Sequence, residues 1–367
     1  MTLTVANNVS LDLAGGSDVL TLGNTGSTLS ASNVETVTGG SGTDTITLAS
    51  ALTTGMTVDL GAGSDKLTLS AAAGNTGSVT NTETIIGAAG VDAITVSAGI
   101  TGGSIDLGAG SDTFTLDNYT NRLSVSNVET VTGGTGNDTV ALVGGVTNGS
   151  VDLAAGSDTL TLGTAANTIS VAGTETLTGG TAADAVTLSS ALSTGMTVDL
   201  GAGNDRLTMG NAGNSGSVLN IETVISGSGA DALTLGSGTS NASIDLGGGS
   251  DTLTLANAAN ALSASNVETV TGGTGADTMT LSSALTTGMT VDLGAGSDKL
   301  TLASSAGNTG SIANAETLIG GSGADTVTLT GGISNGSVDL GGGSDTLTLA
   351  NAANVLRINN VKTTTGG

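Results

Sequence analysis

Proline, cysteine, histidine and tryptophan are absent from the 367 residues, and Phe114 and Tyr119 are the only aromatic side chains. Each absence removes a class of protein. Without cysteine there are no disulfides. Without cysteine or histidine, zinc, copper and iron lose their usual ligands, and no nucleophile with its base can be nominated for catalysis. With so few rings a thick core is impossible, so small aliphatic side chains must fill a thin one. Positive charge is also scarce: six Lys plus Arg stand against 31 Asp plus Glu, which excludes a nucleic-acid or anionic-membrane surface. No run approaches the roughly 18 apolar residues that cross a bilayer, so no membrane insertion is expected. The start, Met1-Thr2-Leu3-Thr4, lacks the basic and apolar regions of a signal peptide. Export is therefore expected to use a signal outside this sequence, or none of a recognisable kind.

What is present is glycine, 62 residues of it, together with Ala, Val, Leu, Ile, Ser and Thr. High charge and much Gly and Ser suit a disordered chain, yet the mean hydropathy is +0.27. Runs such as Thr45-Ile46-Thr47-Leu48 and Thr252-Leu253-Thr254-Leu255 alternate in the manner of half-buried strands.

The sequence repeats itself. Val58-Asp59-Leu60-Gly61-Ala62-Gly63-Ser64-Asp65-Lys66-Leu67-Thr68-Leu69 has relatives whose first Asp falls at 12, 59, 106, 152, 199, 245, 292 and 339. A second segment, seen as Val34 to Leu48, places its Glu at 35, 83, 129, 175, 222, 268 and 316, with Lys362 in the last copy. Both read strand, Gly-rich turn ending in Asp, strand. Eight repeats of 46–47 residues, each of two halves of about 23 residues, predict an all-β, right-handed parallel β-solenoid. One half per turn gives about 16 turns in a single elongated β-solenoid over 1–367.

The acids keep strict register. Asp18, Asp65, Asp112, Asp158, Asp205, Asp251, Asp298 and Asp345 end the first turn class, and Asp44, Asp92, Asp138, Asp184, Asp231, Asp277 and Asp325 end the second. Among all acids only Asp117 stands outside the pattern. Equivalent residues of a parallel solenoid stack about 5 Å apart, where two bare carboxylates repel by roughly 3 kcal/mol at an effective dielectric near 20. Cations between them are the expected remedy. With oxygen as the only donor a hard ion is selected, and calcium, with its forgiving geometry and acceptance of backbone carbonyls, fits better than magnesium. The alternative is that each Asp caps backbone N–H groups and binds no metal. The Glu column and the first Asp column are expected to be solvated outward positions.

The run Gly39-Gly40-Ser41-Gly42-Thr43-Asp44-Thr45-Ile46-Thr47 resembles the G-G-x-G-x-D-x-U-x nonapeptide of RTX (repeats-in-toxin) calcium-binding β-rolls, as do Gly133 to Ala141, Gly272 to Thr280 and Gly320 to Thr328. The resemblance implies calcium held between successive turns by the Asp carboxylate and neighbouring carbonyls, and export into calcium-rich surroundings. Such repeats occur in bacterial S-layer and adhesin proteins. The departures are that the turn-ending aspartates lie 20 to 27 residues apart, and that Ala182, Ala88 and Ser226 replace glycines of the motif.

These features predict a non-enzymatic, calcium-stabilised structural protein of the cell surface or extracellular space: part of an S-layer, adhesin stalk or filament. The strand at Met1 to Val5 and the turn at Gly366-Gly367 are in matching phase, so self-association end to end, or continuation into further repeats, is expected. The rival function is an ice- or glycan-binding face built from outward Thr-x-Thr pairs such as 45/47, 113/115 and 278/280, although Lys66, Arg206, Lys299 and Ala93 interrupt that column.

Overall fold

A computed structural model describes residues 2–3, 7–71, 74–305 and 307–366; the expected phase match involving Met1, Thr4, Val5 and Gly367 lies outside them. The fold is the anticipated all-β parallel solenoid, built among the described residues from short strands, with about 18 turns against the 16 expected. It comprises two compact units, Met1–Val186 and Thr187–Gly367, each built on the same plan.

Every turn carries two strands, so a strand pairs in parallel with the one two along in the chain. In the first unit Thr28–Ser32, Thr45–Leu48, Lys66–Thr68, Thr84–Ala88 and Thr101–Gly108 pair in succession to form one sheet. The strands between them, Thr36–Thr38, Thr57–Asp59, Thr76–Thr80 and Ala93–Val96, form the other. Alternation of side chains then sends one row from each sheet inward. Leu29, Ile46, Leu67, Ile85 and Ile105 stack from the first sheet, and Leu20, Val37, Val58, Val79 and Val96 from the second, all at most 3% exposed. Each such burial is worth about 1.5–3 kcal/mol relative to exposure.

The sequence repeat is not two turns. From Asp12 to Asp59 the chain adds Val19–Leu22, Thr28–Ser32, Thr36–Thr38, Thr45–Leu48 and Thr57–Asp59, which is five strands, or two and a half turns. Successive repeats of one unit therefore begin on opposite sheets. Asp12 and Asp106 lie in strands of one sheet, Asp59 and Asp152 in strands of the other. In the second unit Asp199 and Asp292 alternate with Asp245 and Asp339 in the same way. The expected half of about 23 residues is too long because only two of the five corners per repeat carry a Gly-Asp signature. From Thr28 to Thr45 one turn takes 17 residues, and from Thr45 to Lys66 it takes 21.

One corner is a longer loop that donates a core residue. A Cβ on Gly77 would lie 2.8 Å from Leu52 Cγ, and one on Gly216 or Gly310 would lie 2.7 Å from Leu192 or Leu285 Cγ. The loop leucine fills the space that a strand residue leaves in the next turn.

Candidate functional site: the corner columns

Corners stack as columns, and the in-register acids occupy them in a fixed order. In the column through Asn121, that residue is followed on successive turns by Asp138, Asp158 and Glu175. The chain of bonds is continuous: Asn121 N–H donates to Asp138 Oδ1 at 2.9 Å, Asp138 N–H to Asp158 Oδ1 at 2.6 Å, and Asp158 N–H to Glu175 Oε2 at 2.7 Å. The same Asn-Asp-Asp-Glu order recurs at Asn75, Asp92, Asp112 and Glu129, at Asn214, Asp231, Asp251 and Glu268, and at Asn260, Asp277, Asp298 and Glu316. Ser27 replaces Asn before Asp44, Asp65 and Glu83. The side chain of one turn thus caps a main-chain donor of the turn before it, which an unpaired corner N–H would otherwise leave buried. Bonds to a charged acceptor of this kind are worth about 1.5–3 kcal/mol each.

Fourteen of the fifteen turn-ending aspartates are buried, none more than 2% exposed; Asp18 is half-buried, and its N–H donates to Glu35 Oε2. The Glu column, expected to be solvated, is half-buried and takes part in the ladder. The first Asp column serves a different purpose. Asp106 Oδ1 accepts the N–H of Gly108 and the Nδ2 of Asn127 on the next turn, at 3.2 and 2.7 Å. Asn127 has φ +52°, a left-handed conformation that asparagine tolerates better than other side chains with a Cβ. Equivalent pairs join Asp59 to Asn81, Asp199 to Asn220, Asp245 to Asn266 and Asp292 to Asn314.

The two oxygens of each buried carboxylate differ. Oδ1 is used in the ladder, whereas Oδ2 of Asp44, Asp65, Asp92, Asp112, Asp138, Asp158, Asp251, Asp277, Asp298 and Asp345 is buried with no hydrogen-bond partner. At Asp231 the serine that replaces the first glycine of the motif supplies one, since Ser226 Oγ donates to Asp231 Oδ2. At Asp184 and Asp325 the N–H groups of Gly180 and Gly321 stand 3.4 and 3.5 Å from Oδ2. Burial, then the adjacent charges of Asp44 and Glu83, push Asp65 up to about 6. Asp158, between Asp138 and Glu175, is likewise at about 6. Asp112, Asp138, Asp251 and Asp298 are raised by the same leading cause.

The ladder alone accounts for the register of the acids. The donor set also fits a hard cation, because each orphaned oxygen is a buried acceptor that lacks a positive partner. Among the described residues no three acidic side chains converge on a point able to hold a metal ion, so any ion here takes one or two carboxylate oxygens and draws the rest from carbonyls and water.

The Thr-x-Thr pairs do point outward. One unbroken column of hydroxyls runs Thr36, Thr57, Ser78, Thr95, Thr115, Thr132 and ends at Val19 on one side and Asp152 on the other; a longer one in the second unit runs Thr252, Thr269, Thr290, Ser311, Thr328, Thr348 and Thr365. Missed from the sequence were two sets of asparagines, Asn75, Asn121, Asn167, Asn214, Asn260 and Asn308, each donating to its own ladder aspartate, and Asn127 with its equivalents at the left-handed corner. Their signal was present, since both sets recur at the spacing of the repeat. No protein-family model matches the chain, and no curated protein matches its sequence.

Proposed function

We propose that the chain is a non-catalytic structural repeat protein of the cell surface or extracellular space, an S-layer, adhesin-stalk or filament component, stabilised by calcium in its corner columns. The observation that carries this reading is the row of fully buried aspartates whose Oδ2 atoms have no partner. Calcium would supply positive charge between stacked carboxylates. Asp44, Asp65, Asp92, Asp112, Asp138, Asp158, Asp251, Asp277, Asp298 and Asp345 are its candidate ligands; Asp18 and Asp205 hold equivalent places, while Asp184, Asp231 and Asp325 have nearer donors of their own. Regularity supports a scaffold, because catalysis needs a unique constellation and these corners present the same groups at each repeat. Partners of the same cross-section suit the edges, where Val355 is 61% exposed and Ile358 37%; further repeats or a second copy would cover them.

The test is circular dichroism and elemental analysis before and after exhaustive removal of divalent ions. Loss of β signal on removal, its return with calcium, and several ions bound per chain are the expected results. A fold unchanged in metal-free buffer, with no calcium retained at millimolar concentrations, would leave the hydrogen-bond ladder as the whole explanation of the acids.

A second reading rests on the hydroxyl column from Thr36 to Thr132: a flat face that recognises ice or a repeated glycan. Ice-affinity partitioning and glycan-array binding test it, and a protein that partitions with neither is not a binder of this kind.

A further inference from the structure

Asp117 is the one acid outside the register, and its place in the fold sets it apart. It lies four residues before Asn121, where other repeats carry Gly163, Gly210, Ala256 or Ala350. Its turn stacks directly against one that carries a full nonapeptide, Gly133 to Ala141, since a Cβ on Gly134 would lie 1.9 Å from the Asp117 carbonyl oxygen. Asn121 Nδ2 donates to Asp117 Oδ1 at 3.2 Å, to Asp138 Oδ1 at 2.9 Å and to the Tyr119 carbonyl at 2.8 Å. The two carboxylates are therefore within about 6 Å of each other, because a single amide nitrogen reaches both at hydrogen-bond length. Tyr119 N–H also donates to Asp117 Oδ1, at 3.0 Å.

Those bonds use only the Oδ1 atoms. Asp138 is fully buried, at 0% exposure, and its Oδ2 has no partner; Oδ2 of half-buried Asp117 is itself out of solvent and also without one. Asp138 is raised by burial first; the Asn121 side chain and the N–H groups of Asn121 and Gly134 oppose that, and the charge of Asp117 adds to it. At no other corner with a described turn Asp does a second, unregistered carboxylate stand beside it. We infer that Asp117 and Asp138 together bind a divalent cation at a discrete site, with the two Oδ2 atoms as its carboxylate ligands. Both donors are hard oxygens, which selects calcium or magnesium over softer metals, and calcium completes its shell more readily from carbonyls and water. The inference goes beyond the proposal for the regular columns, because it depends on a residue those columns lack.

Tyr119 makes the site testable by itself. It is the only tyrosine in a chain without tryptophan, so terbium excited through tyrosine reports only ions beside residue 119, whereas direct excitation reports all bound terbium. Tyrosine-sensitised emission that calcium displaces is expected in the native protein. Asp117→Asn should weaken that binding at least tenfold, with the dichroism spectrum and the directly excited terbium elsewhere unchanged; Asp117→Ser is the second variant should the amide disturb the loop. Tyr119→Phe should abolish sensitised emission while leaving the directly excited count intact. The inference is overturned if terbium at saturation gives no sensitised emission, if calcium does not displace it, or if Asp117→Asn and Asp117→Ser both fold and bind as the native protein does. Sensitised, calcium-displaceable emission in a chain with no other bound calcium would sink the proposal for the columns and leave this site standing. Calcium in the columns with no emission at Tyr119 would do the reverse.

Discussion

In buffer freed of divalent ions, the protein should be more stable at mildly acidic pH than at neutral pH, the opposite of the usual acid response. Asp65 and Asp158 are each pushed up to about 6, chiefly by burial and then by the neighbouring carboxylates of the ladder. In the unfolded chain an aspartate titrates near 3.9. A carboxyl with a raised folded pKa holds its proton more tightly in the fold, so its contribution is complete below about pH 4 and disappears as pH climbs through about 6. Two units of pKa correspond to about 3 kcal/mol. Because the corners lie close to solvent, which screens the charges, about 1 kcal/mol from each is the sounder figure. Asp112, Asp138, Asp251 and Asp298 shift in the same direction. Asp65 and Asp158 alone then lose about 2 kcal/mol between about pH 4.5 and pH 7.5, and the other four add to it in the same direction, a sizeable part of the 5–15 kcal/mol that holds an ordinary domain together. Urea unfolding followed by dichroism at several pH values measures it. Calcium at neutral pH should restore the loss by competing with the proton for the same oxygen atoms. A metal-free protein as stable at pH 7.5 as at pH 5 would refute the reasoning, because it would mean that the fold already compensates the ionised columns.

The loop leucines and their facing glycines should behave as matched pairs. Leu192→Ala should cost about 2–5 kcal/mol by opening a cavity, and Gly216→Ala about 1–3 kcal/mol by overpacking against Leu192; the double variant, read by thermal unfolding, should cost less than the sum, and strict additivity would show that the two do not share the space. At the left-handed corner, Asn127→Ala should destabilise more than Asn127→Gly by about 1 kcal/mol, since both lose the bond to Asp106 but only alanine is strained at φ +52°. Gly173, at φ +56°, already occupies the equivalent corner of another repeat. Equal costs for the two variants would show that the bond and not the backbone decides.

The alternation Thr45-Ile46-Thr47-Leu48 is enough to give a strand, its two faces and the thin aliphatic core, because a period of two has only one solution on a half-buried sheet. The parallel solenoid follows from repetition, since identical segments stack most simply in register. The turn count was harder. Gly-Asp corners announce themselves by residue type, but the corners at Asn121 or at the Leu192 loop are marked by asparagine and by an isolated leucine, whose roles depend on which residue lies one turn away. The columns were legible as registered acids, yet their chemistry was not. That Asp138 Oδ1 meets a backbone N–H and Oδ2 meets nothing depends on how the carboxylate is rotated over its own turn, and sequence spacing does not encode that rotation.

The half-turn carried by each repeat makes a prediction that a whole-turn repeat would not. In the second unit Thr223–Ile225 pairs with Ser240–Asp245 in one sheet, whereas its counterpart one repeat later, Thr269–Thr271, pairs with Thr252–Thr254 and Thr290–Asp292 in the other. Removing Thr223 to Glu268, one full repeat, would join Glu222 to Thr269 and move the later strands of that unit to the opposite sheet. Every corner bond has a replacement. Asn214 N–H, now capped by Asp231, would be capped by Asp277, which performs that service for Asn260. Leu192 would keep Gly216 and Leu285 would keep Gly310. Removing only Thr223 to Asp245 deletes the strands Thr223–Ile225, Ala232–Leu235 and Ser240–Asp245 and sets Glu222 directly against Leu246, with no strand between two corners. In a solenoid, where stability comes from neighbouring turns, the first deletion should fold with an unchanged dichroism spectrum per residue and an unfolding m-value reduced in proportion to length. The second should lose cooperativity. If the shorter deletion folds as cooperatively as the longer, the chain is built from 23-residue turns after all, and the alternation of sheets is wrong.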